Sequence, residues 1–365
     1  MGRSHGRLRS GRSRVCASTL VVPPRHAPRT SRRAQPRGDR ACRRVGCHPR
    51  RGGTTNRTDL AVSCAFVSAC PRRRTPQVTQ FVIGVTTLHR PELLRRLLAS
   101  LAETTALDQF VHSIIVVDND PDGGTRDVVT AACLPVAVRY VVEPVRGYAS
   151  PRNAVIESRE HDLPVCFLDD DEVVATDWAA QMAVAHQRFP LAIIQGSVRV
   201  EHEGWPRFKE GRERDPGIRI GATAASTANT LFPSAVWDDA GLRFDTQFNL
   251  SGGEDTDLLL RWEDLGGEIR WWPAQCTEPA HPDRDGLLAY LARAENSSMT
   301  YARIMRQRRR RRTALAISGL LRCAVGTASG AVTVGSRHEA AHVKVAIGRG
   351  LLRGLFLPSN RVGGQ

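Results

Sequence analysis

The chain has 365 residues, which is enough for one large domain or two smaller ones. Its net charge of +15 is unevenly distributed, because residues 1–80 carry +17, residues 303–365 carry +12 and residues 81–302 carry −14. An acidic body between two basic ends excludes a nucleic-acid-binding domain of the usual kind, and it favours an enzyme body whose ends seek an acidic surface.

The first 79 residues are rich in Arg, Pro, Gly and Ser and show little hydrophobic periodicity, so we expect them to be disordered. The apolar stretch Leu60–Cys70 is short and is followed by arginines, which is not the pattern of a signal peptide. Two interpretations stay open: a basic arm, or sequence upstream of the true start. We favour the second, although the next methionine after Met1 is Met182, inside the predicted fold.

Strands and helices alternate from residue 80 to residue 285, and polar residues follow each strand. The first strand is predicted at Phe81–Thr87, and the helix Pro91–Leu101 follows it with Pro in its first turn. Further strands are predicted at Ser113–Val117, Val136–Glu143 and Val165–Leu168. This alternation predicts an α/β fold with a doubly wound, mostly parallel sheet and flanking helices.

The fourth strand ends in a run of acids. The apolar residues Val165–Leu168 are typical of a strand buried on both faces, and they lead directly into Asp169–Glu172. Open α/β sheets bind ligands at this end of their strands, and adjacent carboxylates repel one another without a cation. The run therefore indicates a site for a hard divalent ion, with an acidic surface turn as the alternative.

A Walker-B element of an ATPase would also join an apolar strand to acids. That interpretation requires a phosphate-binding loop with Gly-Lys-Ser/Thr, and the only lysines, Lys209 and Lys344, lie in no such loop. The sequence also lacks a GxGxxG motif after the first strand, which counts against a dinucleotide-dependent oxidoreductase.

The second half of the body contains a predicted polar loop, residues 201–225, and a short helix with an acidic start. Gly252-Gly253-Glu254-Asp255 opens this helix, Thr256–Leu265, so the acids lie at its positive N-terminus. A last strand is predicted at Glu268–Trp272.

Residues 286–365 are predicted to form a basic helical region. A long helix over residues 286–312 ends in Arg308–Arg312, and the apolar stretch Ala314–Val334 contains Arg322. This stretch is a marginal membrane span, and we prefer helices that lie on an anionic membrane surface. The alternative is a soluble helical cap on the catalytic domain.

Five motifs occur in order between residues 80 and 300: Thr87–Leu94, Val117–Asp120, Arg146–Asn153, Phe167–Glu172 and Gly252–Asp257. Together they resemble the family-two inverting glycosyltransferases of GT-A fold, in particular the succinoglycan-type enzymes that extend bacterial exopolysaccharides. The chain departs from the family pattern at Ser150-Pro151, where a small residue and Ala are usual, and this departure leaves the position of Arg152 open.

The resemblance implies a nucleotide-sugar donor and a divalent cofactor, Mn²⁺ or Mg²⁺. Asp169 and Asp171 match the ends of the DxD motif, so Asp171 would ligate the metal and Asp169 would face the ribose or share the metal. Asp118 would contact the nucleotide base, and Thr87 and Arg152 would line the base and phosphate pocket. Alternatively, Asp118 caps the next helix and Arg152 lies on the surface.

Asp255 matches the catalytic base of the family, which must lie near the acceptor hydroxyl; a helix N-cap is the alternative role. Glu254 is the expected structural partner, and Asp257 belongs to the same motif. His281 could complete the metal shell and Trp205 could stack on a sugar ring, although a loop histidine and a packed tryptophan are the commoner roles.

We therefore predict a metal-dependent inverting glycosyltransferase of cell-surface polysaccharide or glycolipid synthesis. Its partners would be a nucleotide-sugar, a glycan or lipid-linked glycan acceptor and an anionic membrane, without nucleic acid. It would be cytoplasmic and peripheral to the inner face of the plasma membrane. Two alternatives stay open: a nucleotidyltransferase with the same metal site, and a scaffold protein that keeps the fold without turnover. The presence of Asp169, Asp171 and Asp255 argues against the scaffold.

Overall fold

The computed structural model describes residues 20–21, 80–201, 214–279, 286–308, 312–332 and 335–356. Most of the N-terminal segment that we predicted to be disordered lies outside these ranges. The exception is Leu20–Val21, which pairs in parallel with the strand at residues 137–142.

Ten strands among the described residues form one mixed sheet. The order across it is β1-β4-β3-β2-β5-β9-β7-β10-β6, and β8 also pairs with β10. The first five strands in this order, from β1 across to β5, pair in parallel with their neighbours. Strands β7 and β10 are also parallel, whereas β9 runs antiparallel to both β5 and β7. The strands are β1 Leu20–Val21, β2 Phe81–Thr87, β3 Val111–Asp118, β4 Ala137–Val142, β5 Val165–Asp169, β6 Val173–Val174, β7 Ile193–Val200, β8 Arg219–Ile220, β9 Thr230–Phe232 and β10 Ile269–Glu278.

Helices cover both faces of the sheet. Residues of α1, α3 and α5 share one apolar core, and residues of α4, α6 and α7 share the other. The predicted doubly wound, mostly parallel α/β architecture is therefore confirmed. The helices are α1 Pro91–Glu103, α2 Leu107–Phe110, α3 Arg126–Ala131, α4 Ala149–Ser158, α5 Trp178–Arg188, α6 Ser234–Trp237, α7 Glu254–Asp264, α8 Leu287–Gln307, α9 Arg312–Val332 and α10 Ser336–Phe356.

Strand β2 shows why its sequence is continuously apolar. Phe81, Ile83 and Val85 belong to the core under α1, whereas Val82 belongs to the core under α4. Gly84 faces α4 so closely that a Cβ there would lie 2.5 Å from a methyl group of Val155. Burial on both faces places the strand end, and the polar residues that follow it, at a fixed edge of the sheet.

Three of the larger differences from the sequence predictions concern β10, the loop 201–225 and α8. Strand β10 continues to Glu278 instead of ending at Trp272, because an irregularity in its pairing with β7 between Trp271 and Gln275 accommodates Pro273. The predicted loop 201–225 contains the short strand β8, and its residues 202–213 lie outside the described ranges. The first C-terminal helix, α8, ends at residue 307.

The C-terminal helices pack through glycines. A Cβ on Gly350 or Gly354 of α10 would lie less than 3.0 Å from the carbonyl oxygen of Glu295 or Met299 of α8, so only glycine permits this close approach. On its other side, α10 approaches α9 at Gly348. Helix α10 is thus held between α8 and α9.

Helix α8 connects this region to α7. Arg308, directly after α8, forms ion pairs with Asp257, at 3.7 Å, and with Asp264, and its side chain is only 15% exposed. We predicted that Arg308 belongs to a basic run facing a membrane; instead it holds the C-terminal helices to α7. Residues 309–311 lie outside the described ranges, and Arg312 is exposed.

We expect Gly253→Ala to destabilise the protein more than Gly252→Ala. Both glycines have positive φ, 96° and 69°, so alanine costs about 1–2 kcal/mol of backbone strain at either position. At residue 253 the new methyl would also collide with Cγ2 of Thr300 on α8, whereas at residue 252 it meets nothing within 4 Å. Urea unfolding should show an additional loss of about 1–3 kcal/mol at residue 253.

The control for this comparison is Thr300→Ser, which removes only the colliding methyl group. The double variant Gly253→Ala, Thr300→Ser should recover most of the additional loss in a double-mutant cycle. Equal losses at the two glycines, or no recovery in the double variant, would show that α8 does not press on this turn.

Candidate active site

Three neighbouring parallel strands end side by side and bring polar residues to one edge of the sheet. In the pairing register, Thr87 of β2 lies opposite Asp118 of β3, and Thr86 lies opposite Asp169 of β5. The edge formed by the carboxyl ends of β2, β3 and β5 is where ligands bind in open α/β sheets. Side chains of α4 and α7 complete the cluster.

Arg152 of α4 joins two parts of the cluster. Its Nη1 donates to Oε1 of Glu254 at 3.0 Å, and its Nη2 lies 3.5 Å from Oδ1 of Asp169. Its side chain is 9% exposed, so the surface alternative for Arg152 is wrong. Pro151 does not displace it, because this proline lies in the first turn of α4, where a missing N–H leaves no bond unmade.

Arg90, the residue before α1, is a member of the cluster to which we assigned no role from the sequence. Its Nη1 donates to Oδ1 of Asp170 at 3.1 Å and lies 3.4 Å from Oδ2 of Asp171. Thr87 Oγ1 donates to the other oxygen of Asp170 at 2.8 Å. The sequence signal that could have identified Arg90 is its place as a cation three residues after the end of β2, the strand next to the acidic β5.

Asp118 is fully buried and bound by groups of its own chain. Oδ2 accepts hydrogen bonds from Thr125 N at 2.8 Å, Thr125 Oγ1 at 2.6 Å and Tyr140 OH at 2.7 Å, and Oδ1 accepts one from Asp120 N at 3.0 Å. Burial and the hydrogen bond from its hydroxyl group to Asp118 raise the pKa of Tyr140. These bonds hold the turn that ends at Thr125, directly before α3, and contact of Asp118 with a nucleotide base stays a prediction.

The helix α7 begins at Glu254, two residues closer to the glycines than predicted. Gly253 is its N-cap residue, and Asp255 is the second helical residue, partly exposed, with Oδ1 accepting from Thr256 N at 2.6 Å. Asp255 is therefore not the N-cap. Its negative charge lies at the positive end of the helix dipole.

Glu254 is the buried member of the pair. Its second carboxylate oxygen, Oε2, has no hydrogen-bond partner among the described residues. Burial raises the pKa of Glu254 to about 7; Arg152 opposes this shift, and Asp255 and Asp169 add to it. Glu254 thus contacts Arg152, and its structural role beside Asp255 stays a prediction.

Glu172 holds the end of β5 through a hydrogen bond to its last residue, Asp169. It is buried, its Oε2 accepts from Asp169 N at 3.0 Å, and its Oε1 accepts from Cys276 Sγ at 3.3 Å. Burial and the charge of Asp169 raise the pKa of Glu172 well above its usual range. Sequence reasoning had placed Glu172 in the acidic run without this contact to the Asp169 backbone.

The cluster has an excess of negative charge. Desolvation raises the pKa of Asp169, although 41% of its side chain is exposed; Arg152 lowers it, and Asp171 and Asp255 raise it. A cation beside Asp169 would relieve this repulsion. Among the described residues, carboxylates outnumber arginines in the cluster, with Asp169, Asp170, Asp171, Glu172, Glu254 and Asp255 against Arg90 and Arg152.

The donor set fits a hard divalent ion such as Mg²⁺ or Mn²⁺, because carboxylate oxygens are the ligands such ions prefer. Within the described ranges, no three His, Cys, Asp or Glu side chains converge as a ready set of ligands. An ion that takes one or two carboxylates and completes its shell with substrate phosphates does not require such a set.

The remaining predicted site residues lie away from the cluster or outside the described ranges. Asp257 of α7 accepts from Arg261 Nε at 2.8 Å and pairs with Arg308. Trp205 and His281 belong to residues that the structure does not describe. A cavity of about 550 Å³ at the amino ends of β7 and β10, lined by Phe189 and Trp262 among others, contains none of the predicted site residues.

Solved structures with a similar arrangement include TarS 1–349 of S. aureus. The complex with UDP has a TM-score of 0.48 and 13% identity, covering 75% of this chain and 91% of that one. The complex with UDP-GlcNAc has a TM-score of 0.46, 14% identity and the same coverage.

Sequence comparison identifies the family. The family model described as glycosyl transferase family 2 matches residues 82–245, which run from β2 to beyond α6. The succinoglycan biosynthesis protein ExoM of Rhizobium meliloti (strain 1021) is 30% identical over 235 residues, covering 62% of this chain and 75% of the relative. With that identity over three quarters of the relative, and with acids at the carboxyl ends of its parallel strands, this chain belongs to glycosyltransferase family 2.

Proposed function

We propose that this protein is a metal-dependent inverting glycosyltransferase that moves a sugar from a nucleotide-sugar to a glycan or lipid-linked glycan. The observation that carries the proposal is the gathering of Asp169, Asp171 and Asp255 at one edge of the sheet. Arg152 joins Asp169 to Glu254, the neighbour of Asp255. The similarity to a succinoglycan biosynthesis protein supports a product in cell-surface polysaccharide or glycolipid synthesis.

On the donor side, Asp171 and Asp169 would hold Mg²⁺ or Mn²⁺. When bound, this ion would stabilise the negative charge of the departing nucleoside diphosphate. Arg90 holds Asp170 and Asp171 from the side of α1, and Glu172 holds the backbone of Asp169. These contacts keep the carboxylates at the strand end in place before the donor arrives.

On the acceptor side, Asp255 would remove the proton from the attacking hydroxyl group. The acceptor oxygen then forms a bond to the anomeric carbon as the bond to the diphosphate breaks on the opposite face, and the configuration inverts. Asp255 is partly exposed, so an acceptor can reach it. Arg152 binds Glu254, the neighbour of Asp255, and thereby sets the position of the base relative to Asp169.

For Thr87 and Asp118 the observed contacts support indirect roles in donor binding. Thr87 orients Asp170, and Asp118 organises the turn that precedes α3. Asp257 would support α7 through Arg261 and Arg308.

The C-terminal helices support a peripheral position on the inner face of the plasma membrane. Among the described residues, α9 is the one helix long and apolar enough to cross a membrane. Its exposed side chains include Ile317, Leu320, Leu321 and Val325, but Arg322 lies in the middle of it, which favours a helix lying in the interface. Because α8 also contacts Gly253, this placement would bring Asp255 close to a lipid-linked acceptor.

The basic residues available to such a membrane differ from those predicted. Arg349 and Arg353 both pair with Glu295 of α8, and Arg308 pairs with α7. Arg312 and Lys344 are exposed. The apolar face of α9 must therefore supply a larger part of the binding than a purely electrostatic attachment would require.

We expect Leu321→Asp to weaken binding to anionic vesicles by about tenfold or more, because burial of a leucine side chain contributes roughly 1.5–3 kcal/mol. The matched control is Leu191→Asp, which changes an exposed leucine of the catalytic domain and should have no effect in the same sedimentation assay. High salt should also weaken binding, since each basic residue near the surface contributes about 1 kcal/mol. Retention in carbonate and high salt would indicate a spanning helix.

We expect Asp171→Asn to abolish the metal-dependent binding of a nucleoside diphosphate, because it removes a charged ligand while keeping the shape of the side chain. Calorimetry with UDP, GDP and ADP, with and without Mn²⁺, measures the effect. If the variant binds the diphosphate preferred by the wild type with the same metal-dependent affinity as the wild type, Asp171 is not a metal ligand.

We expect Asp255→Asn to keep metal and donor binding and to lower transfer by a factor on the order of 10²–10⁴, the usual contribution of a positioned general base. Turnover, melting temperature and donor affinity are compared in the same preparation. Near-normal transfer by a stable variant would show that Asp255 is not the base.

A further inference from the structure

Two histidines of α10 face each other at the turn between α9 and α10. His338 and His342 are four residues apart and therefore lie on the same side of the helix, one turn from each other. Their Nε2 atoms are 2.9 Å apart, their ring centroids are 4.5 Å apart and their planes are at 84°. His338 is half-buried and His342 is exposed.

The environment of His338 determines which of its nitrogens has a free lone pair. Its Nδ1 lies 3.0 Å from the carbonyl oxygen of Gly330 in the last turn of α9. A carbonyl only accepts hydrogen bonds, so Nδ1 carries the hydrogen and Nε2 is left as an acceptor that points at His342. This carbonyl is among the terminal groups that a helix leaves without an internal partner, so the hydrogen bond is a stable anchor.

From this geometry we propose that His338 and His342 bind a late first-row divalent metal ion, Cu²⁺, Ni²⁺ or Zn²⁺, through their Nε2 atoms. Imidazole nitrogen is a preferred ligand of these ions. Metal-binding histidines almost always donate their other ring N–H to a carbonyl or carboxylate, as His338 does to Gly330.

The distance between the two nitrogens matches what such an ion requires. Two metal–nitrogen bonds of about 2.0–2.1 Å at a right angle, as in tetragonal Cu²⁺ or Ni²⁺ sites, hold their nitrogens about 2.9 Å apart. A tetrahedral Zn²⁺ ion holds them about 3.4 Å apart, which a small rotation of the exposed His342 ring provides. Water can complete the shell on the open side of His342.

This site differs in place and chemistry from the candidate active site. Its ligands are nitrogens of the α10 helix, whereas the sheet edge offers carboxylate oxygens. Because His338 is hydrogen-bonded to Gly330 of α9, a bound ion would fix its ring in the orientation that makes this bond and would thereby stabilise the hairpin of α9 and α10.

The test uses the full-length chain without a polyhistidine tag, treated with chelator and carrying Asp171→Asn, so that the sheet edge contributes no ligand at that position. Calorimetric titration with NiCl₂ should show a site whose affinity falls at least tenfold in His338→Ala and in His342→Ala. Ni²⁺ should raise the melting temperature of the parent protein, and this rise should disappear in both variants. His161→Ala is the control, because His161 is 92% exposed and faces Asp238.

A second variant separates the metal site from a simple hydrogen bond between the rings. His342→Gln keeps a side chain that can bond to His338 Nε2 but removes the second imidazole ligand. It should keep the melting temperature of the metal-free parent and lose the tight Ni²⁺ site. Equal Ni²⁺ affinity in the parent, His342→Gln and His342→Ala proteins, or no binding by the parent, would overturn the proposal.

Discussion

The ion pairs of Arg152 hold together Asp169 and Glu254, which are 85 residues apart in the chain. Asp169 ends a central strand, Glu254 begins α7, and the guanidinium group between them comes from α4. Loss of one partner of a buried ion pair costs about 3–5 kcal/mol, because the remaining charge is left without compensation. The spacing between the donor-side carboxylates and Asp255 therefore depends on this single cation.

The same cluster is left with more negative charge than its arginines can balance. Arg90 and Arg152 each contact two carboxylates, yet burial, together with the charges of Asp171 and Asp255, raises the pKa of Asp169. Electrostatic repulsion of this kind lowers stability in the absence of ligand and favours the binding of a cation and its diphosphate. The same carboxylates thus lower the stability of the unliganded protein and favour the binding of a cation.

The C-terminal helices contact this edge through α8 and Arg308. Thr300 of α8 leaves no room for a side chain at Gly253, and Arg308 binds Asp257 and Asp264 on α7. At the same time, α9 exposes an apolar face. Helices α10 and α8 therefore lie between the exposed apolar face of α9 and the turn that positions Asp255.

The sequence by itself determined the alternation of strands and helices, because continuous apolar runs such as Val165–Leu168 have one suitable environment, a sheet covered on both faces. It also placed the acids at the strand ends. It could not show that Arg152 and Arg90 are the cations of the cluster, that Asp118 is fully buried, or that Arg308 binds α7. Those pairings join residues far apart in the chain, and only the tertiary structure decides which distant charges meet.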